Sequence, residues 1–167
     1  MLETAMSKKI AILFVCMANY CRSPTAEGVF RSRARAAGLD EFLLIDSAAT
    51  SDYRIGQAPD PRSSEHAARR GIDLSGQRAR QIQAADFENF DHIFGMDRQN
   101  IALLKQACPP RHQHKIGLLM QFATRSGAEV VPDPYAGGVD GFEQVLDYIE
   151  DAADGLLASL RARIARR

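Results

Sequence analysis

The stretch from Ile10 to Glu27, IAILFVCMANYCRSPTAE, constrains this chain more than any other. Its first part, up to Cys16, is apolar at every position. That pattern belongs to a strand covered on both faces, as in a parallel sheet flanked by helices. Arg22-Ser23-Pro24 then opens an amphipathic helical pattern, with Ser23 expected as N-cap and proline near the first helical position. A tight loop between strand and helix gathers backbone N–H groups and aims the positive end of a helix dipole at one point, which makes an oxyanion site. Cys16 starts that loop, where the same positive ends favour its thiolate. Arg22 adds a permanent charge and a planar fork that matches two oxygens of a phosphoryl group.

The remainder repeats the alternation. Lys9 to Val15, Phe42 to Ile45, His92 to Met96 and Lys115 to Leu119 read as strands. Helical patterns lie over Ser23 to Ala37, Pro61 to Arg70, Ala84 to Phe90, Asp97 to Ala107 and from Phe142 onward, with Gly38 and Gly71 as stops and Asp97 as a cap. The expected fold is α/β, one three-layer domain with a four-stranded parallel sheet and helices on both faces. Residues 1–8 read as a loose extension and 9–167 as the domain. Ligands bind such sheets off the carboxyl ends of the strands. The small, polar segment from Asp46 to Ala58 and the long Gly/Pro/Asp-rich loop from Gln121 to Ala136 emerge at that edge.

Composition removes several classes. Twenty-one basic and 21 acidic residues cancel, which leaves no global case for nucleic acid or an acidic membrane surface. Arg161, Arg163, Arg166 and Arg167 read as a solvated helix end. Cys16, Cys21 and Cys108 are too few for a disulfide scaffold, which suits a reducing cytoplasm. The apolar run from Ile10 to Ala18 is well short of the roughly 20 residues that span a bilayer. The four histidines form no zinc pattern, and no metal or cofactor is expected.

The loop Cys16-Met17-Ala18-Asn19-Tyr20-Cys21-Arg22-Ser23-Pro24, with Asp46-Ser47-Ala48-Ala49-Thr50, Met96-Asp97 and Asp133-Pro134-Tyr135, resembles the low-molecular-weight protein tyrosine phosphatase family. The resemblance implies metal-independent hydrolysis of protein phosphotyrosine through a phosphocysteine on Cys16. Arg22 and the amides of Met17, Ala18, Asn19, Tyr20, Cys21 and Ser23 would hold the phosphoryl group, and Asp133 would be general acid and then base. Ser47 would hydrogen-bond Asn19, whose residue type tolerates a left-handed backbone. Tyr53 and Tyr135 would wall a cleft deep enough for a phenyl phosphate. Cys21 reads either as a redox partner for Cys16 or as packing. Implied partners are phosphotyrosine proteins and a cognate tyrosine kinase, for a cytoplasmic monomer or weak dimer.

Three positions depart from the family pattern. Ala18 replaces the usual glycine and would be strained at positive φ. Tyr20 is bulkier than its usual counterpart and could narrow the pocket. Ala136 replaces an aromatic and should open one side of the cleft. Phosphoarginine hydrolysis and a catalytically weak phosphate- or phosphotyrosine-binding module stand as alternatives. Arsenate reduction lacks its two further paired cysteines, since only Cys108 lies outside the loop.

Overall fold

The computed structural model describes residues 8–166, so residues 1–7 of the expected extension and Arg167 lie outside it. In chain order the elements are β1 (Ile10–Cys16), α1 (Arg22–Ala36), β2 (Leu43–Ala49), α2 (Pro61–Arg69), α3 (Ala84–Asn89), β3 (His92–Gly95), α4 (Arg98–Ala107), β4 (Ile116–Leu118) and α5 (Val139–Ala165). The sheet is four-stranded in the order β2-β1-β3-β4, and every pairing is parallel. The chain therefore winds outward from β1 in both directions, and the switch point falls between the carboxyl ends of β1 and β3.

Alternation along β1 assigns its side chains to two cores. Ile10, Ile12, Phe14 and Cys16 face one cluster with Val29 and Phe30 of α1, Ala67 of α2, and Val145, Leu146, Ile149 and Leu156 of α5. Ala11, Leu13 and Val15 face the other, with Phe87 of α3 and Leu104 of α4. Helices thus cover both faces, which is why β1 carries no polar residue. Among the described residues no helix is long and apolar enough to cross a membrane.

Two of the boundaries that move bear on the site. β2 continues through Ala49 instead of ending at Ile45, with Cys16 opposite Ala49 in register. Ser47, Ala48 and Ala49 look like loop residues by composition, but pairing with β1 buries all three and makes small side chains a packing requirement. α1 starts at Arg22, so Ser23 lies inside the first turn; the N-cap position is Cys21, without a side-chain cap. Ser23 is instead engaged with Cys16, as described below. Gly38 closes α1 and Gly71 follows α2, both at positive φ as their sequence positions suggest.

The long loop before α5 is anchored at its start. A Cβ at Gly155 would lie 1.9 Å from the Phe122 carbonyl oxygen, so only glycine lets α5 pass this close to the turn after β4. Four residues earlier on α5, buried Asp151 accepts backbone N–H bonds from Thr124 (2.9 Å), Arg125 (3.2 Å) and Ser126 (2.7 Å). Burial opposes the Asp151 charge, but these N–H groups outweigh it and bring its carboxyl down to about 2. Because the folded value lies below the unfolded one, this stabilisation is full above about pH 4 and fades as pH falls through about 2. Asp151→Ala, which strands three N–H groups, is expected to cost roughly 2 kcal/mol at neutral pH. The cost should shrink in acid; urea melts of both proteins at pH 7 and pH 3 measure it, and an equal cost at both would contradict the assignment.

Candidate active site

The loop between β1 and α1 closes around the Cys16 sulfur. The Ser23 backbone N–H, one of the unpaired donors at the helix start, points at Sγ from 3.4 Å, and the Ser23 hydroxyl lies 3.1 Å from it. The carbonyl oxygens of Cys16, Met17 and Tyr20 accept backbone N–H bonds from Thr50, Ser51 and Asp60. Those bonds turn the negative ends of the peptides away from the cysteine.

A relay of hydrogen bonds fixes the loop from behind. Asn19 has φ of 53°, the only positive value at a non-glycine among the described residues. The left-handed turn thus falls on Asn19, a residue type that tolerates it, and the strain expected at Ala18 does not arise. The Arg80 backbone N–H donates to Asn19 Oδ1 (3.1 Å), which orients the Asn19 amide so that Nδ2 donates to Ser23 Oγ (2.8 Å) and Ser47 Oγ (3.0 Å). The Ser47 hydroxyl donates in turn to Glu27 Oε1 (2.7 Å). Burial pushes the Glu27 carboxyl up, opposed by its bonds from Ser47 and Arg31. With an amide hydrogen already donated to Ser23 Oγ, the Ser23 proton is left to point at Cys16 Sγ or, at 3.5 Å, the Ala48 carbonyl.

Arg22 is 3 % exposed and reaches across the switch point. Its Nη1 donates to Asp97 Oδ2 at 2.6 Å and to the Val131 carbonyl at 3.0 Å, while Nη2 lies 4.0 Å from Asp133 Oδ2. Burial works against the charge, but the Cys16 sulfur, Asp97 and Asp133 more than offset it and raise the guanidinium above its ordinary value. Asp133 accepts the Tyr135 backbone N–H at Oδ1 (3.1 Å), and its side chain is 43 % exposed. Its loop is tied to the residue that follows β3 by the Val131 N–H to Met96 carbonyl bond (2.8 Å).

Cys16, Arg22 and Asp133 line one cavity of about 220 Å³, together with Met17, Ala18, Tyr20, Cys21, Tyr53, Arg54 and Tyr135. Of the residues expected to form the site, Cys16, Arg22, Asp133, Met17, Ala18, Tyr20, Cys21, Tyr53 and Tyr135 line this cavity, while Asn19, Ser23 and Ser47 are buried and hydrogen-bonded to one another behind the loop. Cys21 Sγ donates to Asp60 Oδ2 (3.7 Å); burial first, then the Asp60 charge, push its thiol up to about 12, so Cys21 stays protonated at ordinary pH. Both loop cysteines are free thiols. Tyr20 and Tyr135 stand with ring centroids 6.2 Å apart, and the Arg54 guanidinium lies 4.2 Å from the Tyr20 centroid. Tyr20 thus builds a wall of the pocket. Among the described residues no group of three or more His, Cys, Asp and Glu could hold a metal ion.

Sequence reading missed Arg54, Asp60, Glu27 and Arg80; it gave Asp97 a cap and a place in the family pattern, but no contact with Arg22. Asp97 does cap α4, accepting the Asn100 N–H (2.8 Å), but its other oxygen takes Arg22. Its position just after β3, at the carboxyl edge, was a usable signal. Arg54, adjoining Tyr53 in the loop after β2, was another. Glu27 and Arg80 gave none, because they act from behind the loop through residues distant in sequence.

The chain is similar to known proteins along most of its length. The profile of the family described as low molecular weight phosphotyrosine protein phosphatase matches residues 11–166. A putative low molecular weight protein-tyrosine-phosphatase of Synechocystis is 43% identical, over 89% of this chain and 95% of its own length. The low molecular weight phosphotyrosine protein phosphatase of Schizosaccharomyces pombe is 39% identical, over 93% of this chain and 99% of its own. Among solved structures, a protein tyrosine phosphatase from Entamoeba histolytica superposes with a TM-score of 0.90 at 38% identity, covering 92% of this chain and 98% of that one. A cysteine and an arginine closing one loop, an aspartate brought over them, and this likeness along nearly the whole sequence have one common reading: the chain belongs to the low molecular weight phosphotyrosine protein phosphatase family.

Proposed function

We propose that this chain hydrolyses protein phosphotyrosine without a metal, through a phosphocysteine on Cys16. The observation that carries the reading is that Cys16, Arg22 and Asp133 line one aromatic-walled cavity. In the first step the Cys16 thiolate attacks phosphorus, the S–P bond forms and the P–O bond to the phenol breaks. Asp133 gives its proton to the departing oxygen. Arg22 and the N–H groups of the loop stabilise the charge on the three equatorial oxygens, which is most of what phosphoryl transfer asks of a protein. In the second step Asp133, now a carboxylate, takes a proton from water as that water attacks phosphorus, and the S–P bond breaks to release phosphate and restore the thiolate.

Asp97 keeps the Arg22 fork aimed at the cradle, and the 4.0 Å between Arg22 and Asp133 supports a role for both at one phosphoryl group. Tyr20, Tyr53 and Tyr135 suit the flat ring of a phenyl phosphate, and a serine phosphate is too short to bring peptide past them. Arg54 on the same wall counts against a substrate whose leaving group is itself a guanidinium, as in phosphoarginine. Rates on matched phosphotyrosine, phosphoserine and phosphoarginine peptides test the reading, with chelator present. The expected order puts phosphotyrosine ahead in kcat/KM by roughly a hundredfold over phosphoserine, the scale of discrimination that pocket shape achieves. Tight binding with no turnover would instead mean a binding module.

A further inference from the structure

Arg54 holds its charge in an unusual setting. Its guanidinium carbon lies 4.2 Å from the Tyr20 ring centroid and 5.4 Å from that of Tyr135, Nη2 donates to the Tyr135 hydroxyl (3.0 Å) and Nη1 to Gln57 Oε1 (3.3 Å). None of these partners is anionic, and among the described residues Arg54 forms no ion pair. Its neighbour Arg62, which also lies against the Tyr135 ring, is neutralised by Asp60 at 2.7 Å. Arg54 is therefore a pinned, uncompensated cation on the wall of the candidate active-site cavity.

We propose that Arg54 selects phosphotyrosine peptides bearing an acidic side chain next to the phosphotyrosine. The inference rests on the phosphatase reading above and sharpens its substrate class. An extended peptide advances about 3.3–3.6 Å per residue, so the immediate neighbours of a seated phosphotyrosine pass the rim where Arg54 sits. A carboxylate there meets a guanidinium already stripped of most of its rotamer freedom by two rings and a hydroxyl, so pairing costs little further ordering. Arg54 also presents a planar fork suited to two carboxylate oxygens, which a lysine would not reproduce. The exposed Met17, Tyr53, Ile55 and Tyr135 nearby offer apolar surface to the rest of the peptide but no second charge.

The test compares two phosphotyrosine peptides that differ only in Glu or Gln beside the phosphotyrosine. The Glu peptide is expected to be favoured roughly fivefold in kcat/KM at low salt, the scale of a partly exposed ion pair. The preference should fade in 1 M salt, fall to about one in Arg54→Gln and be intermediate in Arg54→Lys. Because each figure is a ratio within one protein, loss of active enzyme does not affect it. The same ratio is read as affinity on Cys16→Ser by fluorescence anisotropy, so absent turnover would sink the phosphatase reading while this one is still judged. A wild-type ratio near one, or an unchanged ratio in Arg54→Gln, would overturn the assignment.

Discussion

Cys16→Ser is expected to lower kcat on p-nitrophenyl phosphate by about four orders of magnitude or more, the scale of removing a nucleophile, while leaving phosphate affinity intact or improved. The hydroxyl lacks the intrinsic nucleophilicity of a thiolate and has no base beside it, since the nearest side-chain oxygen is that of Ser23, whose acceptor face is occupied by Asn19. The cradle does not depend on the sulfur. Arg22 is held by Asp97 and Val131, and the loop by the Asn19 relay. Removing a negative sulfur from beside a bound dianion also removes repulsion. Steady-state rates and calorimetric titration with phosphate measure the two halves separately. Residual activity above about a hundredth of wild type, far more than loss of a nucleophile leaves, would remove Cys16 from the mechanism.

The second large effect belongs to Asp133. Asp133→Asn is expected to reduce kcat/KM on phosphotyrosine peptides by about 10²–10⁴, the usual contribution of a positioned general acid. With p-nitrophenyl phosphate, whose leaving group needs less help, the loss should be under about tenfold on the same Brønsted argument. The comparison is made in kcat/KM because that quantity reports formation of the phosphocysteine alone. In the proposed second step Asp133 would act as base whatever group has left, so kcat is expected to fall for both substrates. Equal losses in kcat/KM would mean that Asp133 binds or shapes the pocket without delivering a proton.

Much of the site was legible because it is contiguous. The residues from Cys16 to Pro24 make their own loop, and the apolar run before them makes the central strand. The relay behind that loop was only partly legible. Asn19 follows from backbone preference, but its orientation depends on the Arg80 N–H, reached through the segment after α2. The end of β2 was misread for a related reason. Small residues are written as loop by composition, and only pairing with β1 turns Ser47, Ala48 and Ala49 into strand.

By itself the sequence determined the alternation of strands and helices, the burial of β1 and the placing of a cysteine and an arginine in one tight loop at a helix start, since each depends on neighbours a few positions apart. Tertiary structure alone decided what surrounds that cradle. Asp97 meets Arg22 across 75 residues of chain, the Val131 carbonyl across 109, and Tyr135 meets Arg54 across 81. Parallel strands must be joined by long crossovers, so residues that meet at the sheet's carboxyl edge come from loops far apart in sequence. No local pattern encodes which charge will face which.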